Sequence, residues 1–315
     1  PNFPNQYPAS KLCIWEIEAH PQYRLPGLPS CERLIFEFGV KPSRALTAFQ
    51  AGKLALLGQL TPEEVQALRR DTELGASYHE IPGFTTYMML PNTRQGLFAD
   101  RDRRRALLAS VRAMEGLDLA IGSLGVPAHG LIPPGLPGYV EQPLPPFTAD
   151  LDLLHKQRIK VALHPIYREA FAALWHALQV RFEHIGVELE VVADTVEGLL
   201  DAAQRGTADL FALRWLADYP DADIFASIFH RDLNPLLPLF DHAELRRLVE
   251  TARQESDADQ RHALYREIER LAHDEGFVVP LFYEQLYRFV RPEIRNMGLR
   301  FRSPEVAYEQ LALAS

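Results

Sequence analysis

The second half of the chain alternates strand and helix signals with a regularity that leaves few folds open. Arg158–Leu163 reads as a strand, and Tyr167–Ile185 as a long helix with Phe171, Leu174, Leu178, Phe182 and Ile185 on one stripe, stopped by Gly186. Val187–Val192 is the next strand, Asp194 and Glu197 suit the start of a helix running to Gln204 before Gly206, and Ala208–Leu213 is a strand again. Strands separated by helices pair in parallel, because a parallel partner needs a crossover of a dozen or more residues. Helices at Ala243–Glu255 and Asp259–Asp274 follow, the second ended by Gly276, and Phe277–Tyr283 is a final apolar strand. The class is α/β with at least one parallel sheet.

The first half carries shorter signals. Arg33–Phe38 reads as a strand, Pro42–Ala51 as a helix closed by Gly52, and Lys53–Leu57 as a short strand. Thr61-Pro62-Glu63-Glu64 has the form of a capping box, opening a helix that buries Val65 and Leu68. Two short strands around one helix imply a parallel βαβ unit. Thr85–Leu90 is a further strand, and a helix near Asp102–Glu115 places Leu107, Leu108, Val111 and Met114 on one face. Residues 122–149 are dense in Gly and Pro, which points to an ordered surface loop or connector.

Composition narrows the function classes. The 315 residues carry 33 Lys and Arg against 42 Asp and Glu, a net charge of −9. That balance argues against general nucleic-acid binding, which needs surplus cations to displace phosphate counterions. The arginines 101, 103, 104 and 105 are the local exception, and they read as the solvated start of a helix. At 47% hydrophobic residues the chain is an ordinary globular one of about two domains. Cys13 and Cys31 are the only cysteines, too few for a disulfide framework, and they stand equally well as one bridge or two free thiols. The opening, with Pro1, Pro4 and Pro8, carries no signal-peptide pattern.

Nucleophile-elbow, P-loop, dinucleotide-fold and zincin signatures are missing, and Gly122-Ser123-Leu124-Gly125 has the wrong spacing for the first of these. His176 and His184 share a helix face but have no evident third ligand, so no metal site is assigned. Asp218, Asp221 and Asp223 form the densest carboxylate cluster near a strand end. A calcium loop would need a turning glycine and more oxygen ligands, and an acid–base pair would need a partner from elsewhere. A binding role suits the position, since ligands of open α/β sheets sit beyond the carboxyl ends of strands. A carboxylate between Trp215 and Tyr219 matches an ammonium group beside apolar or amide surface, although Asp218 as a helix cap with core aromatics remains equally open at this point.

Read from end to end, the chain resembles the family 5 extracellular solute-binding proteins, the di- and oligopeptide-binding subunits of ABC importers. The segments that carry the likeness occur in family order: His20-Pro21-Gln22-Tyr23 with Leu34-Ile35-Phe36, Gln50-Ala51-Gly52, Tyr87 to Asn92 with the arginine-rich helix, Gly130-Leu131-Ile132-Pro133-Pro134-Gly135, Trp215-Leu216-Ala217-Asp218-Tyr219-Pro220-Asp221, and Tyr265 to Leu281. The resemblance implies a type II periplasmic-binding-protein-like fold of two lobes with mixed, mostly parallel sheets. It also implies that a peptide is bound in an inter-lobe cleft without chemistry and without a cofactor. Asp218 falls where peptide-binding members hold the ligand's α-ammonium, with Trp215 and Tyr219 beside it. Arg214 stands where the family usually has glycine, which would narrow the pocket or supply a cation for a ligand carboxylate.

The same resemblance implies that the chain lacks a long N-terminal portion and that its first lobe is incomplete. Residues 1–77 would be a remnant of the first lobe, 78–282 the ligand-binding lobe, and 283–315 a return to the first. An incomplete lobe removes one wall of the cleft and exposes apolar surface, so weak or absent peptide binding, or dimerisation through that surface, is expected. The implied partners are a peptide and an ABC permease, with no nucleic acid, and the implied location is periplasmic or extracellular, with a lipoprotein anchor on a full-length form. Family members also take sugars, nickel complexes and haem. Two other readings stand beside this one: the ligand-sensing domain of a transcriptional regulator, and a metal-dependent hydrolase built on Asp218, Asp221 and Asp223.

Overall fold

The computed structural model describes residues 13–114, 116–146, 148–301 and 305–314. The proline-rich opening and Glu115, the expected last residue of one helix, lie outside the described residues. The chain begins with strands β1 (Cys13–Glu18) and β2 (Arg33–Phe38), helix α1 (Pro42–Gln50), strand β3 (Leu56–Leu57), helix α2 (Pro62–Arg70) and the long strand β4 (Tyr78–Pro91). It continues with α3 (Arg101–Arg112), α4 (Leu117–Ile121), β5 (Gly125–Pro127), β6 (Arg158–Leu163), α5 (Ile166–Glu169), α6 (Ala172–His184), β7 (Glu188–Ala193), α7 (Val196–Arg205) and β8 (Leu210–Leu216). It ends with α8 (Asp223–Ala226), α9 (Ala243–Gln254), α10 (Ala258–Asp274), β9 (Val279–Val290), β10 (Ile294–Arg295) and β11 (Ala312–Leu313). Two compact units result: one runs to Ile81 and resumes at Leu286, and the other is Pro82–Gln285.

In the first unit β1 and β2 form an antiparallel pair in which Trp15 faces Phe36. The parallel βαβ unit expected around α1 is not formed. β3 pairs antiparallel with β9 instead, Leu56 opposite Val290 and Leu57 opposite Phe289, and its strand is only two residues long. Neighbours in sequence lost to partners more than two hundred residues away, because Leu57 and Phe49 are buried there against the Phe289 region. The capping box at Thr61 is present: its hydroxyl accepts from the Glu64 amide, and the Glu64 carboxylate accepts from the Thr61 amide. Cys13 and Cys31 are free thiols, and Cys31 Sγ donates to the Leu311 carbonyl at 2.9 Å.

The second unit is built on a mixed sheet in the order β9-β4-β8-β6-β7, with β5 also on β9. β6 pairs in parallel with β7 and β8, whereas β4–β8 and β5–β9 are antiparallel. Parallel pairing is thus restricted, among the described pairings, to the β7-β6-β8 side. It is not the majority that was expected, because β4 runs antiparallel to β8 and β5 antiparallel to β9. Side chains of β4 alternate between two packed faces. Met88 and Leu90 enter a core closed by α7, α8, α9 and α10, while Tyr87 stacks on Phe282 at 4.1 Å and meets Phe171 edge-on at 5.0 Å.

Several local expectations gave way to packing. The single helix over 167–185 is two helices, because Phe171 leaves helical geometry (φ −117°, ψ 38°) to place its ring against Tyr87 and Phe282. Thr195, rather than Asp194, caps α7 by accepting from the Gly198 amide. Met114 lies beyond the end of α3. Arg104 is not solvated: it is 4% exposed, donates to the Phe98 and Ala99 carbonyls, and pairs with Glu275 at 3.1 Å. Gly276 makes this approach feasible, since a Cβ there would sit 2.9 Å from the Arg104 carbonyl carbon.

The Gly- and Pro-rich segment is also not a surface loop throughout. Leu131, Ile132 and Leu136 are buried in the core, and buried backbone needs partners. Glu269 of α10 supplies them: its carboxylate accepts from the Leu131 amide at 3.0 Å and from the Ile132 amide. Thr86 donates to the Leu131 carbonyl, and the Gly130 amide donates to the Tyr283 hydroxyl. Burial raises the Glu269 carboxyl to about 7 despite the two amides that favour its anion.

Candidate functional site

The site grows from the end of β8. Register with β4 sets Tyr87 opposite Arg214 and Thr86 opposite Trp215, so Arg214 and Trp215 point to opposite faces of the sheet. The Ala217 amide still donates to the Phe84 carbonyl, which keeps the backbone extended up to Asp218. Trp215 packs on the core, and its indole N–H donates to the Ile224 carbonyl at 2.8 Å. That bond folds the segment after β8 back over the strand.

A cavity of about 550 Å³ opens at this turn, lined by Trp215, Leu216, Asp218, Tyr219, Asp223, Ile224, Ser227, Leu233, Asn234 and Arg253. Three of the expected site residues, Asp218, Trp215 and Tyr219, therefore come together. Arg214 does not line the cavity. It is exposed beside Tyr87, whose hydroxyl donates to Glu284, and burial followed by the Glu284 charge raises that phenol against the opposing pull of Arg214. Burial, then the Arg214 charge, lowers His164 to about 4, and its Nδ1 accepts from the Ile166 amide.

The three carboxylates after β8 have separate fates. Asp221 is gripped by Arg261 through two bonds of 2.7 and 2.9 Å and accepts from the Asp223 amide. Burial would raise its carboxyl, but the Arg261 bonds outweigh that and hold it below its ordinary value. Asp223 is buried, paired with Arg253 at 3.2 Å, and accepts from the Tyr219 hydroxyl at 3.3 Å. Burial and then the Asp223 charge raise the Tyr219 phenol. Asp218 is exposed and has no hydrogen-bond or ion-pair partner among the described residues. It caps no helix, for the turn into α8 is made by Asp221. Among the described residues no group of three His, Cys, Asp or Glu side chains is placed to hold a metal ion. Within the cluster Asp221 is paired with Arg261 and Asp223 with Arg253, which leaves Asp218 as the carboxylate without a cation.

Arg253, Asn234, Leu233 and Ile224 complete the cavity, and none was singled out in the sequence. They come from α8, α9 and the loop between them, and no short motif links them to Trp215 or Asp218.

The model of the bacterial extracellular solute-binding proteins, family 5 (middle), matches residues 14–234. The chain belongs to this family. Relatives of this family 5 protein include a probable deoxycholate-binding periplasmic protein of Escherichia coli, 26% identical over 269 residues that cover 81% of the chain and 48% of the relative. Another is a probable di/tripeptide-binding protein of Pseudomonas aeruginosa, 22% identical over 91% of the chain and 56% of the relative. The chain spans about half the length of the curated relatives it matches. Among solved structures, the periplasmic binding protein DppA of Helicobacter pylori in complex with the peptide STSA superimposes with a TM-score of 0.82 at 16% identity, over 98% of this chain and 62% of that one. The murein tripeptide-binding protein MppA of Escherichia coli gives 0.75 at 17% identity, over 90% and 58%. The family 5 protein thus has the type II periplasmic-binding-protein fold, and no helix among its described residues is long and apolar enough to cross a membrane.

Proposed function

We propose that this family 5 protein binds peptides without chemistry and presents them to an ABC permease. One observation carries the reading: Asp218 is a carboxylate with no partner among the described residues, lining a cavity walled by Trp215 and Tyr219. A charge left without a partner at the mouth of an otherwise paired cluster suits a cationic guest, here the α-ammonium of a peptide. The relatives are named as binding proteins, which supports binding over catalysis and over the regulator alternative. The periplasmic names of several relatives support a location outside the cytoplasmic membrane, and a lipid anchor on a longer form would keep the protein near its permease. Arg214 is left out of the proposed site because it is not among the residues that line this cavity.

Self-association belongs to the same reading. In the first unit Ile14, Ile17, Ile35 and Phe38 of the β1–β2 pair are about half exposed, and a second copy is the proposed cover for them. Sedimentation velocity over a range of concentrations tests that part, and a monomer at every concentration would exclude it.

The test of binding is calorimetry of the chain and its Asp218→Ala variant with a free-amine peptide and the same peptide N-acetylated. Losing one charge-assisted bond should weaken the free-amine peptide roughly 10- to 100-fold and leave the acetylated one within about twofold. Equal loss for both would show that Asp218 acts on the shape of the loop instead.

A further inference from the structure

The cavity beside Asp218 has an apolar character that a bare ammonium does not require. Leu216 is 51% exposed, Tyr219 47% and Leu233 39%, and all three line it together with the half-buried Ile224. Large apolar side chains scattered singly over a surface need no explanation, but several gathered round one cavity next to a lone carboxylate do. Two polar atoms give a second, independent sign. Asp223 and Asn234 are 7% and 6% exposed, and Oδ1 of the first and Nδ2 of the second are buried with no partner among the described residues. Both residues line the cavity, so its polar side holds buried groups whose hydrogen-bonding capacity is not used up within the described residues.

We infer that this cavity selects the first residue of the bound peptide, favouring a large aliphatic side chain over glycine and rejecting an acidic one. The inference rests on the peptide reading above. The ammonium goes to Asp218 and the first side chain lies on Leu216, Leu233 and Ile224. Counting Asp218 and Asp223 against Arg253, the lining carries a net charge of −1. An acidic first residue would meet that charge as well as the loss of its own hydration. At about 550 Å³ the cavity has room for a leucine-sized side chain with its ammonium.

The experiment is calorimetry of the full chain with Leu-Gly-Gly, Gly-Gly-Gly and Glu-Gly-Gly, repeated on Leu233→Asp. Burial of a leucine side chain corresponds to roughly 10- to 100-fold tighter binding of Leu-Gly-Gly than of Gly-Gly-Gly. Glu-Gly-Gly should bind more weakly than either, and Leu233→Asp should erase the leucine preference. Circular dichroism of the variant confirms that it is folded, and Leu233→Ala, expected to halve the preference on a logarithmic scale, gives a second and gentler reading of the same wall. Equal binding of Leu-Gly-Gly and Gly-Gly-Gly overturns this inference and leaves the peptide reading standing. If all three peptides fail to bind, the peptide reading falls and this inference falls with it.

Discussion

Arg261 holds Asp221 with two nearly parallel hydrogen bonds of 2.7 and 2.9 Å, and that clamp fixes the turn in which Asp218, three residues earlier, is left without a partner. The same guanidinium donates to the Tyr265 hydroxyl at 2.7 Å, so α10 and the turn after β8 are tied at one point.

Replacing Arg261 by Met should therefore act on stability and on the site together. The Asp221 carboxylate keeps its burial and loses the bonds that offset it, so its pKa should rise from below its ordinary value to above it. Urea unfolding at pH 7 should show a loss of about 2 kcal/mol, the scale of hydrogen bonds to a charged group. Peptide affinity should fall as the turn loosens, and an unchanged midpoint would show that the clamp carries no load.

Glu269 predicts a pH dependence with a definite sign. Its carboxyl is raised to about 7 in the fold, against 4.5 when unfolded, so between those values the native state holds the extra proton. Stability from this group is full below about pH 4.5, falls as pH rises towards 7, and is level above that. Glu269→Gln should remove this slope. It should also cost about 1–2 kcal/mol at pH 5, because one of the Leu131 and Ile132 amides loses its acceptor. Carbon-detected NMR of labelled glutamate should find one titration near 7 that is missing in the variant.

His164 works in the opposite direction. Its imidazole is lowered to about 4 by burial and then by Arg214, so the unfolded chain takes up a proton first as pH drops below about 6.5. Stability from this group is full above 6.5 and is lost as pH falls towards 4. The size is about 1 kcal/mol once solvent screening of a half-exposed ring is allowed for. In Arg214→Ala the NMR midpoint of His164 should move up towards its ordinary value, while peptide affinity should change less than twofold, since Arg214 lies outside the cavity.

Where the sequence was legible, the signal was local. The Thr61 capping box needs only Thr61 to Glu64, and Arg33–Phe38 and Arg158–Leu163 occur as strands at the expected residues because their apolar runs are short and cleanly bounded. Trp215, Asp218 and Tyr219 could be picked out because they stand within five residues of one another at a strand end. What stayed hidden was set by distant partners. Arg104 looks solvated until Glu275, 171 residues on, is brought against it. Leu131 and Ile132 sit in a segment whose composition says surface, yet Glu269 on a later helix satisfies their amides. Arg253, Asn234 and Leu233 reach the cavity only through the packing of α8 and α9, which no spacing in the sequence encodes.

Asp223 and Arg253 offer a last test, because they lie in the lining of the cavity yet their pairing is structural. Asp223 is 7% exposed, and its one cation among the described contacts is Arg253 at 3.2 Å. Arg253→Met alone leaves a buried carboxylate without its cation, which should cost about 2–3 kcal/mol given the partial exposure of the arginine. Asp223→Asn alone frees Arg253, whose side chain is 41% exposed and readily hydrated, so it should cost less. The double variant removes the charge together with its partner and should be more stable than Arg253→Met by about 1 kcal/mol. The Tyr219 phenol should titrate lower in both variants that lack the Asp223 charge, since that charge is the second cause of its raised value after burial. Strict additivity in the unfolding free energies would mean that the pair is not coupled and that the cavity lining is held by packing alone.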